Sequence, residues 1–320
     1  MRRLSRAQAL RSLGTGALGI AGATLFGCSA DTLSSMATTM GGAASTSEEP
    51  SRLEDAPEVA APAPVGPPPP LEAGRETRPM LPGTPWETPL VLAHSGLAGP
   101  RVLVLGGVHG NEPGAWQAAE AVATWEPHAG SLLVIPRANR LATLAFERTF
   151  PELGDLNRLY PGAQDAPLPM ARMAAAILGV VRDFEVDLVL DMHESWGFYH
   201  ERGSNSGTAF IGQTVTKGEG PLPEGFVRDI VTTVNATITP REEFTFRDRL
   251  PQPPPGAISP SAVGGVQPGG RSSSSLAIGQ HAPGATAILV EMGQMDQAEY
   301  RRRDLHLLLA RELLTRHGVL

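Results

Sequence analysis

Apolar positions divide the chain into three regimes. A short apolar stretch fills residues 13–26, residues 29–85 show no apolar periodicity, and from about Trp86 short apolar runs alternate with segments of helical period. Residues 88–94, 102–106, 132–136, 187–192 and 286–291 read as strands; 114–125, 170–184, 223–236 and 297–317 read as helices. In the last of these, Leu305, Leu308, Leu309 and Leu313 share one face. Strands alternating with helices predict a largely parallel sheet covered on both sides within one domain. Residues 193–205 and 247–281 fit no regular element, and the second, rich in Pro, Gly and Ser, is expected to cover a pocket.

The strand over 102–106 ends in Gly106-Gly107-Val108-His109-Gly110-Asn111-Glu112-Pro113. Glycines there turn the chain sharply at a strand's carboxyl end, where α/β folds place ligand sites. An imidazole and a carboxylate three residues apart on such a turn are two of the three protein ligands that catalytic zinc takes, the fourth position staying open to water. The alternative is a turn-capping His followed by a Glu that starts a helix, with Pro113 in the first turn.

Three further segments carry chemistry. Val186-Asp-Leu-Val-Leu-Asp191-Met-His193 is a strand that ends in a histidine, and alternation puts Asp191 on the same side as His193. His193 is thus a candidate third ligand, and Asp191 a candidate partner to orient an imidazole; a hydrogen-bonded structural His is the competing possibility. Ala285-Thr-Ala-Ile-Leu-Val-Glu291 is an apolar strand ending in a carboxylate, which must be ion-paired, metal-bound or catalytic, because burying an unpaired charge is costly. The stretch from Glu147 to Pro161 holds Arg148, Asn157 and Arg158, suited to fixing a carboxylate or polarising a carbonyl. Arginines that only balance Glu147, Glu152 and Asp155 would look the same.

Composition bears on location and partners. The first 30 residues hold Arg2, Arg3, Arg6 and Arg11, no acidic residue, then the apolar stretch and Leu25-Phe26-Gly27-Cys28. A basic start and a short apolar core describe an export signal rather than a spanning helix. The segment resembles a bacterial lipoprotein signal with Cys28 as the lipidated residue, and its arginine pair loosely matches twin-arginine signals. The expected organisation is a signal over 1–28, a disordered Ser/Thr/Ala/Pro-rich tether over 29–85 and the alternating α/β domain with its candidate zinc site over 86–320, exported and lipid-anchored at the cell envelope. Cys28 is the one cysteine, so neither an intramolecular disulfide nor a cysteine zinc site is available. Without residues 1–28, 22 basic residues face 33 acidic ones, a net charge near −11 that argues against nucleic acid as a partner.

The order His109-x-x-Glu112, Asp155-Leu-Asn157-Arg158, Asp191-Met-His193, Val290-Glu291 resembles the succinylglutamate desuccinylase and aspartoacylase family, a branch of the carboxypeptidase A-like zinc hydrolases, over about residues 88–318. The resemblance implies a three-layer α/β/α sandwich around a mixed, mostly parallel sheet, one zinc ion, and hydrolysis of an amide by activated water. It further implies His109, Glu112 and His193 as zinc ligands, Glu291 as general acid/base, Asn157 and Arg158 as the pair that binds a substrate carboxylate, and Arg148 as the group that polarises the scissile carbonyl, although two extra residues separate Arg148 from Asp155-Leu-Asn-Arg.

Some family features lack a clear counterpart. Aspartoacylase has a C-terminal β domain after its catalytic glutamate, whereas a helix is read here. For a further substrate-binding arginine the sequence offers only His281 or Arg271, and of three tyrosines Tyr199 is the best candidate for a catalytic one. Three functions are therefore expected in descending order: a deacylase for amides next to a carboxylate, in an N-acyl amino acid or short peptide; an envelope carboxypeptidase for peptidoglycan peptides; and a non-catalytic ligand-binding lipoprotein.

Overall fold

The computed structural model describes residues 71–203, 207–247 and 273–320. The expected signal over 1–28 and residues 29–70 of the expected tether lie outside the described residues. Among the described residues no helix is long and apolar enough to cross a membrane.

Eight strands form one mixed sheet: β1 (Gly74–Met80), β2 (Thr88–His94), β3 (Arg101–Leu105), β4 (Ser131–Ile135), β5 (Leu188–Ser195), β6 (Thr214–Lys217), β7 (Thr245–Arg247) and β8 (Thr286–Gly293), in the order β1-β2-β4-β3-β5-β8-β6-β7. The centre, β4-β3-β5-β8, is parallel, and so is β6 with β7; β1-β2, β2-β4 and β6-β8 are antiparallel. The principal helices are α1 (Pro113–Val122), α2 (Arg140–Ala145), α3 (Pro169–Asp183), α4 (Tyr199–Arg202), α5 (Phe226–Asn235), α6 (Ile278–His281) and α7 (Glu299–His317).

Alternation along the central strands divides the core into two layers. Val102, Val104, Leu188, Leu190, Ile288 and Val290 pack on one face against α1, α5 and α7, while Leu103, Leu105, Val189 and Ala287 pack on the other with Met173 and Ile177 of α3. The result is the expected three-layer α/β/α sandwich. Ile177 is fully buried, so truncation to alanine is expected to cost about 2–5 kcal/mol.

Three departures matter. The domain begins earlier than the 86 boundary drawn from sequence, because Gly74–Met80 pairs with β2 from Gly74↔His94 to Met80↔Thr88, inside the segment assigned to the tether. Its residues are exposed and charged, with a proline, as suits a protected edge strand. The segments expected to be wholly irregular also contain order: β5 runs on through Ser195, α4 follows, and β7 and α6 lie at the ends of 247–281. Finally, β6 and β7, too short to leave a pattern, extend the sheet beyond β8.

Candidate metal centre and catalytic site

β3, β5 and β8 end together at one edge of the sheet, and the chemistry gathers there. After β3 the chain turns through Gly107 at φ 63°, a conformation that favours glycine. Gly110 then passes so close to the Ala142 carbonyl that a Cβ would lie 1.9 Å from it. Between these glycines and Pro113, which opens α1, His109 and Glu112 are directed inward and almost fully buried. β5 delivers His193 to the same point.

Ligand atoms of His109, Glu112 and His193 lie within 4.8 Å of one another. The Glu112 carboxylate bridges the rings, with Oε1 2.7 Å from His109 Nδ1 and Oε2 2.9 Å from His193 Nδ1; the two Nδ1 atoms are 3.1 Å apart. Each imidazole meets a carboxylate through its other nitrogen: His109 Nε2 is 3.1 Å from Asp155 Oδ1, and His193 Nε2 is 3.0 Å from Asp191 Oδ2. This is the arrangement that fixes tautomer and ring orientation in histidine metal sites. Two imidazoles and a carboxylate, all buried, with both Nδ1 atoms turned to one point, are a donor set that fits zinc. The turn-cap alternative for His109 and Glu112 does not describe this geometry; Glu112 precedes α1 but makes no side-chain cap.

The charges reinforce one another. Burial works against ionising Glu112, yet His109 and His193 hold its carboxyl well below the usual range. Asp155 is likewise held low against burial, by His109, Arg148 and Arg158. Burial alone would depress His193, but Asp191 and Glu112 raise it well above an ordinary histidine.

Glu291 stands beside His193 in the β5-β8 ladder, hence on the same face. Its Oε2 is buried without a hydrogen-bond partner among the described residues. Burial, with Glu112 and Asp191 adding to it, pushes the carboxyl up to about 8, and His193 and Arg148 oppose the shift. A buried glutamate with a raised affinity for protons and a free oxygen is suited to moving one.

Arg148 lies at the rim, half exposed, with Nη2 3.3 Å from Asp155 Oδ2 and Nη1 3.5 Å from Glu112 Oε1. Despite its irregular spacing from Asp155-Leu-Asn-Arg it therefore reaches the cluster. Asn157 and Arg158 sit in a 3-10 turn (Leu156–Arg158) capped by Asp155. Asn157 is buried, its Oδ1 accepting the Ser275 N–H at 2.9 Å and its Nδ2 lying 3.5 Å from His193 Nε2. Arg158 donates to the Asn157 carbonyl and remains partly exposed. His109, Glu112, Arg148, Asn157, Arg158, His193 and Glu291 thus belong to one locale.

Nothing in the pattern of the sequence marks Arg247. Glu291 faces Thr214 across β6, Thr214 faces Thr245 across β7, and Arg247 lies two residues on, so period-two alternation puts it on the Glu291 face. Its guanidinium stacks 4.1 Å over the Tyr199 ring, and its buried Nη1 has no partner among the described residues. Burial weakens its hold on the proton, while Tyr199 and Glu291 strengthen it. Arg271 lies outside the described residues, and His281 uses its carbonyl to bind Arg182 of α3. A side-chain register two strands away from Glu291 is the signal that finds Arg247, and it exists only once the strand order is known.

Comparison with known proteins agrees with this geometry. Residues 98–197 match the succinylglutamate desuccinylase/aspartoacylase catalytic domain. That span of the family domain includes His109, Glu112, Arg148, Asn157, Arg158 and His193, and ends before Glu291. No curated protein matches the chain in sequence. Among solved structures, tripeptide-bound cell shape determinant Csd4 from Helicobacter pylori superposes with TM-score 0.54 at 20% identity, over 69% of this chain and 52% of that one. The mDAP-bound form of Csd4, described as a D,L-carboxypeptidase, gives 0.53 at 19%. A succinylglutamate desuccinylase/aspartoacylase from Rhodobacter sphaeroides gives 0.51 at 17%, over 78% of this chain and 66% of its own. At these identities the likeness is one of fold, and this chain spans about half the length of Csd4.

Proposed function

We propose that the chain is a zinc-dependent amide hydrolase that acts next to a carboxylate, on an N-acyl amino acid or a short peptide. One observation carries this reading: His109, Glu112 and His193 converge with each imidazole backed by a carboxylate, and an unpartnered glutamate carboxyl stands one strand away. A ligand-binding module has no use for that fourth group.

His109, Glu112 and His193 would hold the ion, which when bound supplies the Lewis acidity that makes water nucleophilic and polarises the scissile carbonyl. Glu291 takes a proton from the attacking water on its carboxylate and delivers it to the leaving nitrogen, so that the carboxylate is regenerated. Arg148 points its guanidinium at the rim of the cluster, where it stabilises negative charge growing on the carbonyl oxygen. Asn157 orders the wall through Ser275, and Arg158 and Arg247 offer guanidinium donors to substrate carboxylates. Tyr199 sets the plane of Arg247 by stacking. Ser275 is held on Asn157, and the expected cover over 247–281 lies for residues 248–272 outside the described residues. Lipidation at Cys28 would place the enzyme at the cell envelope, where peptidoglycan peptides are within reach; the peptide-trimming reading follows from that location and from the tripeptide-bound relative in fold.

Hydrolysis of a panel of N-acyl amino acids and muropeptides by wild type and Glu291→Gln tests the proposal. Activity in wild type that is lost in Glu291→Gln is expected, and equal activity in both would refute the role of Glu291. Cleavage of peptides alone would select the carboxypeptidase reading.

A further inference from the structure

On the far side of β5 from the metal ligands lies a buried ion pair that the mechanism does not use. Alternation sends His193 to the metal face and Glu194 to the opposite one, where its side chain is closed off from solvent. Arg302 of α7, also buried, places Nε 3.0 Å from Glu194 Oε2, and Gln294 donates to the same oxygen at 3.0 Å. Gln294 also donates to the Asn111 carbonyl at 2.8 Å, and Arg302 reaches the Gln297 carbonyl. The start of α1 presses on the pair: a Cβ at Gly114 would come 2.3 Å from Glu194 Oε1.

This network joins four segments: the 109–114 loop, the end of β5, the turn after β8 and the start of α7. The first two carry His109, Glu112 and His193, and the third follows directly on the strand of Glu291. The connection to the metal ligands is direct, because the Glu194 backbone N–H donates to Glu112 Oε2 at 3.0 Å. Where the Glu194 side chain is anchored therefore decides where that N–H points, and so which way the Glu112 carboxylate is turned between the two imidazoles. Stability is a poor reason for such a pair, since a well-packed apolar pair of similar volume commonly serves as well or better.

We propose that Glu194 and Arg302 are a positioning pair that orients Glu112 for the metal ion. This rests on the zinc reading of the site. The test measures zinc affinity, by competition with a chromophoric chelator, and metal-free melting temperature for wild type, Glu194→Gln, Arg302→Met, Arg302→Lys and the double variant Glu194→Leu/Arg302→Met. Both non-conservative single variants and the double variant are expected to bind zinc about 10–100-fold more weakly. Arg302→Lys should recover part of that loss. The double variant should melt without metal at or above the wild-type temperature, separating placement from stability. The proposal is overturned if the double variant binds zinc within about twofold of wild type, or if it fails to fold, since the pair would then serve packing or folding alone. If the single variants do not fold, the double variant decides by the same criterion. A wild-type chain without zinc affinity would instead defeat the metal reading itself.

Discussion

The two halves of the site are built differently. On the β3-β5 side the candidate ligand atoms are paired, His109 with Asp155, His193 with Asp191, Glu112 with both imidazoles and with the Glu194 N–H, although Asp191 Oδ1 behind them has no partner among the described residues. On the β8-β6-β7 side the reactive ends themselves, Glu291 Oε2 and Arg247 Nη1, are buried without partners among the described residues. Paired polar groups describe a site preorganised for one fixed occupant, whereas an orphaned buried donor or acceptor costs about 1–3 kcal/mol until something arrives to satisfy it. On the proposed function the first would be the metal half and the second the substrate half, and damage to one should leave the other measurable.

The largest effect is expected on the substrate half. Glu291→Gln keeps the shape but removes the proton acceptor, so kcat should fall about 10²–10⁴-fold while zinc affinity stays within a few-fold of wild type. Parallel loss of zinc would erase the distinction between the halves. On the metal half, Asp191→Asn should weaken zinc binding about 10–100-fold by loosening the His193 ring, measured by chelator competition. Unchanged affinity would mean that Asp191 does not orient the ligand.

Arg247→Met should raise KM about 10-fold or more for substrates with a carboxylate within its reach, and leave matched substrates without that carboxylate nearly unaffected, as the loss of a charge-assisted contact worth about 1.5–3 kcal/mol requires. Equal losses on both substrate types would remove Arg247 from recognition.

The smallest effect concerns the frame of the substrate half. Glu242, just before β7, accepts Arg301 of α7 at 2.6 Å, and this contact is the main cause of its carboxyl being drawn down to about 2, with Thr239 assisting. A depressed folded-state value means that the contribution is full above the ordinary carboxyl range near 4.5 and disappears as pH falls towards about 2. The pair is partly exposed, so Glu242→Gln should cost less than about 1 kcal/mol at neutral pH. Melting curves of variant and wild type should converge between pH 4.5 and 2; a gap that persists below that window would contradict the assignment.

The candidate ligands and Glu291 were legible in the sequence because each follows a long apolar run. β3, β5 and β8 are central strands buried on both faces, so His109, Glu112, His193 and Glu291 are marked by position at their ends, and Asp191 by its period-two relation to His193. Arg148, Asn157 and Arg158 were found through motif order alone, since the loop that carries them has no period. The substrate half was largely hidden. β6 has four residues and β7 three, which is too few to register as alternation, and Arg247 meets the site only through pairing with strands distant in sequence. β1 was hidden for another reason: an exposed edge strand of charged residues has no apolar face to read. Glu194 and Arg302 were passed over because residues 193–205 read as a loop and a helical arginine reads as surface.

The proposed function requires that His109, Glu112 and His193 hold one zinc ion independently of Glu291. The most direct test is the zinc content of the purified chain after exhaustive dialysis, measured for wild type, Glu291→Gln and His193→Ala. One zinc per chain in the first two and none in the third is the predicted result; wild type without zinc, or His193→Ala with a full equivalent, would contradict it.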